Sequence, residues 1–450
     1  MSAEASAPGQ ESYEQALSGL FNGDAAASQP ACIMQPRDRH DVAAVVQQAR
    51  STGAALSVRG GGHSRFCSAD GAMMLDLSSH LNAVVVEGDR VHVQGGAGMG
   101  TVLHQLAPTG RMVPVGTHAT TGFGLLMMGG IGHLSRSYGL TLDCIEVIRG
   151  VRADGGLFTL AAGHTDPDAW RLLRGAAPFL AVVTDVTMRT YPRCALTVIR
   201  QLLQLGSLQQ ALMTAEASPR EVSCSFVLGV PPGQREPMAM RYCVAQSRDA
   251  THLSPELLEE SPGRWRAQVE GLEQLPDFNL PNRDGSCPKD PPLSSDRFNR
   301  PRTWIYCISV TRGLLTRLVP LIVSALEKLP NPLCRIDFQH IGGAVQDRPM
   351  TSSVYRGREA EWSIVVTAVW SPGDADGETS ARAWADGVFD ALESFACHVY
   401  LVERHPEAHR YQRELDLAYG PDLESLRRMK HAWDPDGILP PLESAALSNH

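Results

Sequence analysis

The sequence predicts an α+β protein built in two parts, and three observations lead to this prediction. The first 190 or so residues mix short strands with helices, and the strands are joined both by hairpins and by helices. From Arg193 to about Ser394 the apolar runs become longer, which is typical of an antiparallel sheet separated by helical stretches. With 450 residues and 43% hydrophobic side chains, the chain can bury sizeable cores.

The first elements are a helix and a strand that leads into a glycine turn. Four apolar side chains between residues 42 and 49 recur at helical spacing, which predicts a helix over 41–50 capped by Asp41. Gly53 ends that helix, and the apolar residues 54–58 form the strand before the turn.

Two hairpins follow in the first part. Residues 83–86 and 91–93 flank Glu87-Gly88-Asp89, and residues 145–153 meet 157–160 across Asp154-Gly155-Gly156. Apolar runs on either side of such turn residues are typical of antiparallel pairs.

The second part has four long strand patterns and a long irregular segment. The strands are predicted over 222–228, 240–246, 303–310 and 362–370. The segment 275–302 carries six prolines, which predicts a loop, and such a loop could act as a lid over a site. Near the end, residues 422–432 read as one clear helix stopped by Asp434-Pro435.

Composition argues against several classes of protein. Forty Lys and Arg against 49 Asp and Glu give a net charge of −9 without a basic block, so we expect no nucleic-acid partner. The sequence starts without a signal-peptide pattern and has no long uncharged apolar run, so we expect a cytoplasmic protein without membrane contact. The ten cysteines are scattered, which favours free thiols and no metal site.

Two glycine-rich segments are the strongest local signals. Gly60–Gly62 follows a predicted strand, and Gly122–Gly132 contains five glycines in eleven residues. Glycine lets the backbone approach a ligand closely, and successive N–H groups can form a cradle for a pyrophosphate. Neither segment fits the phosphate loop of ATP-binding proteins or the dinucleotide fingerprint, so ATP and nicotinamide cofactors are disfavoured.

The order of these segments along the chain supports a family resemblance. The sequence runs through Val58-Arg-Gly-Gly-Gly-His63-Ser64, Asp76-Leu77-Ser78, Gly95-Gly96-Ala97, Pro114-Val-Gly116-Thr117 and Gly129-Gly130-Ile-Gly132-His133 to Gly139-Leu140-Thr-Leu-Asp143. This succession resembles the FAD-binding domain of the vanillyl-alcohol oxidase superfamily, and most closely that of its berberine-bridge-enzyme-like oxidoreductases. Later segments around Gln339, Tyr355 and Tyr419 look like the rest of that family, so the resemblance covers most of the chain.

The resemblance implies a fold, a cofactor and a set of residues. It implies a two-part FAD-binding domain of the PCMH type over 1–193 and 398–450, with an inserted substrate domain over 194–397 built on an antiparallel sheet covered by helices. The cofactor is FAD. The residues that it implies for FAD are Arg59, Gly60, Gly61, Gly62, His63, Ser64, Gly116, Thr117, His118, Thr121, Gly122, Gly129, Gly130, Gly132, His133, Leu134, Gly139, Leu140, Asp143 and Val183.

The resemblance also implies one covalent bond to the flavin. In members with an Arg-Gly-Gly-Gly-His-Ser segment the histidine, here His63, is commonly bonded to the 8α carbon of the ring. Berberine-bridge-type enzymes often add a second bond from a cysteine after Pro-x-Gly-Thr, but His118 stands there in this chain. We therefore expect attachment through His63 alone; the alternative is a histidine that only hydrogen-bonds near the ring.

The catalytic and substrate-binding residues are less well marked. Tyr400 is the first candidate for a catalytic base and Tyr306 the second, although each could equally be a core aromatic residue. Gln339, Tyr355 and Arg358 are candidates for substrate contact; the alternative for Arg358 is an ion pair with a neighbouring glutamate such as Glu359 or Glu361.

The function implied is oxidation of a small organic alcohol, amine or related C–H/X–H group in specialised metabolism. The substrate's hydride would pass to the flavin, which dioxygen or another acceptor would reoxidise. The alternative is a flavin-binding protein without redox turnover, because Ala176-Ala177-Pro178 and Asp436 depart from the family pattern and the second glycine segment is one residue short. Oligomeric state and substrate identity stay open.

Overall fold

The first part of the chain holds two sheets. The computed structural model describes residues 3–163, 166–246, 253–258, 263–275 and 294–443. One sheet has four strands in the order β1-β2-β4-β3, with β3 and β4 parallel. These strands are β1 (Glu4–Ser6), β2 (Cys32–Gln35), β3 (Leu56–Arg59) and β4 (Met73–Asp76).

The second sheet of this part is antiparallel and has the order β5-β6-β10-β8-β9. It contains both predicted hairpins, because the turns at residues 88–89 and 154–156 bring their flanking strands into register. Its five strands are β5 (Val84–Glu87), β6 (Arg90–Gln94), β8 (Ile145–Arg152), β9 (Leu157–Ala161) and β10 (Ala181–Arg189). Two further short strands, β7 (Arg111–Met112) and β11 (Tyr191–Pro192), form a separate pair.

The second part is built on an eight-stranded sheet in which every pairing is antiparallel, in the order β15-β12-β14-β13-β17-β18-β16-β19. The four predicted strand patterns all fall in this sheet. Its strands are β12 (Leu196–Gln204), β13 (Val222–Gly229), β14 (Met238–Ala245), β15 (Arg264–Val269), β16 (Arg302–Val310), β17 (Arg335–His340), β18 (Trp362–Trp370) and β19 (Ala396–Val399). The predicted fold class is therefore confirmed.

The described residues contain thirteen helices. They are α1 (Glu11–Ser18), α2 (Gly23–Ala27), α3 (Arg39–Thr52), α4 (Met99–Leu106), α5 (Phe123–Met128), α6 (Ser135–Tyr138), α7 (Pro167–Leu180), α8 (Leu208–Glu216), α9 (Pro255–Leu258), α10 (Leu315–Leu326), α11 (Ala375–Leu392), α12 (Tyr411–Tyr419) and α13 (Leu423–Trp433). Helices α10 and α11 pack together, and α11 lies against β16 and β18. Within the described residues, no helix combines the length and the apolar character that a membrane crossing requires.

The carboxy-terminal segment lies against the first part of the chain. Helix α13 packs on α7, and Arg171 of α7 donates to Asp422 at 2.7 Å. Further on, the N–H of Leu56 donates to the carbonyl of Ile438, and the side chain of Ile438 belongs to the core of the first sheet. Residues after 420 thus contribute side chains to a hydrophobic core whose other members lie up to about 400 residues earlier in the chain.

Two sequence predictions need correction. Asp38, not Asp41, caps helix α3, because its carboxylate accepts from the N–H groups of His40 and Asp41. Cys224 and Cys243 are not free thiols: they are directly opposite on β13 and β14 and form a disulfide. A spacing of 19 residues gives no hint of this pairing, which arises only when the two strands align. The predicted loop over 275–302 lies mostly outside the described residues.

Two buried ion pairs join the parts. Arg136 of α6 donates to Glu361 at 2.7 Å, and His340 lies within 3.0 Å of the same carboxylate. Asp143 accepts two hydrogen bonds from Arg358, at 2.7 and 2.8 Å. Moving both charges of such a pair out of water costs free energy. Once the pair is buried, removal of one partner leaves the other charge uncompensated, which is strongly destabilising.

We expect Glu361→Gln to lower the free energy of unfolding by about 3 kcal/mol or more, because it leaves the Arg136 guanidinium buried without a countercharge. Urea denaturation measures this. The control is Glu424→Gln, which removes an exposed i,i+4 partner of Arg428 and should cost less than about 0.5 kcal/mol. Equal midpoints for the two variants would show that the pair contributes little.

Candidate functional site

One large cavity lies between the glycine segments and the inner face of the eight-stranded sheet. Its volume is about 710 Å³, which is within the range of cavities that hold a cofactor or a ligand. Residues from both ends of the chain line it, including Phe21 and Pro440. Strand β3 leads directly into this cavity through Gly60–Gly62, so the sequence motif and the cavity coincide.

The first glycine segment packs against the backbone of the loop 119–122. A Cβ atom on Gly61 would overlap the carbonyl oxygen of Thr120, and one on Gly122 would lie 2.7 Å from the N atom of Gly61. Gly62 has φ +77°, a conformation that side chains rarely adopt. Glycine is therefore required here for backbone contact, in agreement with the reason given for the motif.

This segment also offers hydrogen-bond donors. Among the hydrogen bonds of the described part of the chain, none has the N–H of Gly60, Gly61 or Gly62 as its donor. Three successive N–H groups at the wall of a cavity can bind an anion such as a phosphate.

His63 follows the glycines and lies in a small aromatic cluster. Its ring stacks on Phe21 with the centroids 4.3 Å apart, and His118 meets it edge-on at 4.5 Å. Its Nε2 atom lies 2.7 Å from the hydroxyl of Thr120. The imidazole is thus held at the cavity wall by two rings and one hydroxyl group.

The second glycine segment divides at Gly129. Residues 122–125, Met127, Met128 and Ile131 line the cavity. From Gly129 onward the glycines instead allow close packing: a Cβ on Gly130 would overlap the side chain of Thr141, and one on Gly132 would overlap the carbonyl of Val115.

Half of the residues predicted to bind the cofactor line the cavity. These are Gly60, Gly61, Gly62, His63, Ser64, Thr117, His118, Thr121, Gly122 and Val183. The other ten lie elsewhere and are Arg59, Gly116, Gly129, Gly130, Gly132, His133, Leu134, Gly139, Leu140 and Asp143.

Several of the second group have other partners. Arg59 donates to the carbonyls of Ala16 and Gly19 and so holds the amino-terminal helices. His133 is buried against Tyr242, and burial lowers its pKa to about 4. Asp143 pairs with Arg358 as described above. Arg59, His133 and Asp143 therefore contact other parts of the protein and do not line the cavity.

The sheet supplies the opposite wall. Alternate residues of three adjacent strands line it, as expected from the two-residue repeat of a strand. They are Thr303, Ile305 and Cys307 of β16, Arg335 and Gln339 of β17, and Val365, Thr367 and Val369 of β18. Of the predicted substrate-binding residues, Gln339 is among them.

The other two substrate candidates, Tyr355 and Arg358, do not line the cavity. Arg358 is buried in the ion pair with Asp143, so it is a structural residue, although its partner is not the neighbouring glutamate that the sequence suggested. Tyr355 is also buried, with its ring against His398 and Tyr400.

Tyr306 also lies away from the cavity. It alternates with Ile305 and Cys307 along β16, so its side chain points to the opposite face, toward helix α11. Its hydroxyl donates to Asp386 of that helix at 2.7 Å. Burial and this hydrogen bond raise the pKa of Tyr306 far above its usual value. The strand parity therefore argues against Tyr306 as a base.

Tyr400 lines the cavity, but its hydroxyl group is engaged with the second glycine segment. The N–H of Gly130 donates to it at 3.0 Å, and it lies 3.4 Å from the carbonyl of Leu125. Burial raises the pKa of Tyr400 well above its usual value, which disfavours the phenolate. The contacts favour a positioning role for this residue.

Glu403 lines the cavity, although no sequence motif indicated it. It lies three residues after Tyr400, and one carboxylate oxygen accepts from the backbone N–H of Arg65 at 3.4 Å. Burial raises its pKa to about 7, against the opposing effect of the nearby Arg404 and Arg65 charges. A carboxyl group with such a pKa can take up a proton at neutral pH.

The cavity therefore fits an FAD molecule. Gly60–Gly62 offers N–H groups for a pyrophosphate, and His63 lies at the same wall. Apolar side chains such as Val58, Ile131 and Val182 line other parts of the wall, where flat rings can pack. Among the described residues, no group of three or more His, Cys, Asp or Glu side chains is arranged to hold a metal ion.

Comparisons with known proteins agree with this cofactor. A family profile described as "FAD binding domain" matches residues 30–161. An FAD-linked oxidoreductase of Dictyostelium discoideum is 23% identical over 457 aligned positions, which cover 95% of this chain and 91% of that protein. A more similar but shorter match is (R)-6-hydroxynicotine oxidase of Paenarthrobacter nicotinovorans, 33% identical over 167 positions that cover 36% of each protein.

Solved structures show the same fold. BBE-like 1 of Physcomitrella patens superimposes with a TM-score of 0.82 over 100% of this chain and 98% of its own, at 20% identity. The resemblance extends over both the glycine-rich part and the eight-stranded sheet.

Proposed function

We propose that the chain is an FAD-linked oxidoreductase of the vanillyl-alcohol oxidase superfamily and that it oxidises a small organic alcohol or amine. The match of residues 30–161 to an FAD-binding domain and the fold shared with a BBE-like protein support this proposal. The electron acceptor in this proposal is dioxygen. The flavin is held by a covalent bond from His63.

The observation that carries this proposal is that one cavity contains both sets of residues that the reaction needs. Its first wall has the anion-binding glycines and His63, and its second wall has the polar side chains of the sheet. Glu403 lies in the same cavity. When bound there, the flavin supplies a hydride acceptor.

Glu403 is the proposed general base. A hydride leaves a carbon more readily when the attached hydroxyl or amine loses its proton, and a carboxylate in the same cavity can take that proton. The N–H of Arg65 orients one carboxylate oxygen. Tyr400 supports the site differently, because its hydroxyl holds the backbone at Gly130.

The sheet wall suggests how a substrate is oriented. Arg335, Gln339 and Thr367 offer hydrogen-bonding groups, while Val365 and Val369 between and beside them are apolar. A small molecule with one polar and one apolar side matches this wall. The Arg335 side chain also lies 3.2 Å from Asp337, which partly balances its charge.

Anaerobic mixing with a panel of alcohols, sugars and amines tests the activity. We expect at least one compound to bleach the visible flavin absorbance, and admission of air to restore it with formation of hydrogen peroxide. Bleaching without recovery in air would replace dioxygen by another acceptor. No bleaching by any compound, with a flavin that dithionite still reduces, would favour a flavin-binding protein without turnover.

We expect acid-denatured protein to retain its yellow chromophore on the polypeptide, because a covalent bond survives unfolding. His63→Ala should release all flavin on denaturation. His104→Ala, which alters a histidine of helix α4 outside the cavity lining, is the control and should keep the flavin attached. Gel fluorescence measures the attached fraction. Free FAD from the denatured wild-type protein would refute the bond.

We expect kcat/KM to rise with pH through about 7, because Glu403 must be ionised to act as a base and burial raises its pKa to about 7. Glu403→Gln should lower kcat about 10²-fold or more above that pH and remove the rise. Glu407→Gln, the same change four residues on at an exposed carboxylate, should keep the wild-type profile. Measurements with an active compound from the panel decide this. An unchanged profile in Glu403→Gln would exclude Glu403 as the base.

A further inference from the structure

We propose that Thr120 and His118 form a proton relay that removes the proton from His63 when the flavin becomes attached to it. This inference rests on the proposed covalent bond. It assigns a role to His118, which follows the Pro-x-Gly-Thr segment, and to Thr120, which lies two residues further on.

Three side chains form a continuous hydrogen-bonded chain. The Nε2 atom of His63 lies 2.7 Å from the Oγ1 atom of Thr120, and that Oγ1 atom lies 3.0 Å from the Nδ1 atom of His118. Both distances are within the usual hydrogen-bond range. The two imidazole rings are thus connected through a single hydroxyl group.

A backbone contact sets the direction of this chain. The N–H of Thr120 donates to Nδ1 of His118 at 3.3 Å, so that nitrogen carries a lone pair and no proton. The hydroxyl of Thr120 therefore donates to Nδ1 of His118 and accepts from the other side. The atom that donates to the Thr120 hydroxyl is Nε2 of His63, so Nε2 of His63 carries the proton.

This arrangement leaves the lone pair of His63 on Nδ1, which is the atom that can form the new bond. A neutral histidine has one protonated and one unprotonated ring nitrogen. The stacking of Phe21 on the imidazole at 4.3 Å restricts how the ring can turn. His63 is therefore held as a nucleophile of one defined tautomer.

The attachment step can be balanced with these groups. A bond would form between Nδ1 of His63 and the 8α carbon of the flavin, and a C–H bond of that methyl group would break, its hydrogen passing to solvent as a proton and its electron pair to the ring system. The flavin ring system gains two electrons and is reduced, and dissolved dioxygen then reoxidises it with formation of hydrogen peroxide. The proton on Nε2 of His63 passes to Thr120 as the hydroxyl proton of Thr120 passes to His118.

His118 is suited to accept this proton. The Nδ1 atom of His118 lies 3.0 Å from the Thr120 hydroxyl and has the lone pair that can take up a proton. Thr120 is exposed, so water is the competing acceptor. Removal of the Thr120 hydroxyl or of the His118 imidazole blocks transfer through the relay but leaves direct transfer to water, so such variants distinguish the two routes.

The test follows the rate of covalent attachment in the full-length protein. Thr120→Val keeps the branched shape but removes the hydroxyl, and His118→Asn keeps a hydrogen-bonding group that cannot hold a proton. Each protein is incubated with saturating FAD, quenched in acid at intervals, and its polypeptide fluorescence is measured. We expect both variants to attach flavin about 10²-fold more slowly than the wild type, since general-base catalysis contributes factors of this size.

Thr120→Ser is the matched control, and it should attach flavin within a few-fold of the wild-type rate because the hydroxyl is retained. NMR of the isolated flavin peptide should show the bond at Nδ1 of His63. If Thr120→Val and His118→Asn attach flavin at the wild-type rate, or if the bond is at Nε2, the relay is wrong while the covalent bond stands. If the wild-type protein attaches no flavin, the proposed covalent bond itself fails. Should one variant no longer bind FAD, the rate of the other decides.

Discussion

The site depends on the contact between two stretches of bare backbone. Gly61 lies against the carbonyl of Thr120, and Gly122 lies against the N atom of Gly61, with no room for a side chain at either point. This contact brings the residue after the first glycine segment next to the hydroxyl and imidazole of the facing loop. The cradle for an anion and the environment of His63 are therefore consequences of one packing constraint.

Local patterns predicted most of the fold, whereas the site required knowledge of which faces meet. Hairpins and long strands were predictable because their signals lie within a few residues. The face on which Tyr306 lies depends on the helix packed against its strand, and the partner of Arg358 is 215 residues away in sequence. The second glycine segment resembled the first in composition, yet beyond Gly129 it serves packing. Glu403 escaped notice because its elevated pKa comes from burial, which no short motif encodes.

The two buried ion pairs explain how a cavity between two parts of the chain keeps a defined width. Arg136 and Asp143 lie just beyond the second glycine segment, and their partners Glu361 and Arg358 lie beside the strand β18. A charge pair in a low-dielectric interior tolerates little displacement, because separation leaves each charge unsolvated. The two ion pairs thereby fix the position of the sheet wall relative to the glycine wall.

Phe21 and Pro440 face the same cavity although 419 positions separate them in the chain. During translation the first of these residues leaves the ribosome long before the second has been made. The cavity can therefore acquire its full lining only after residue 440 has been made. A molecule that contacts both walls can accordingly be enclosed only after residue 440 has joined the fold.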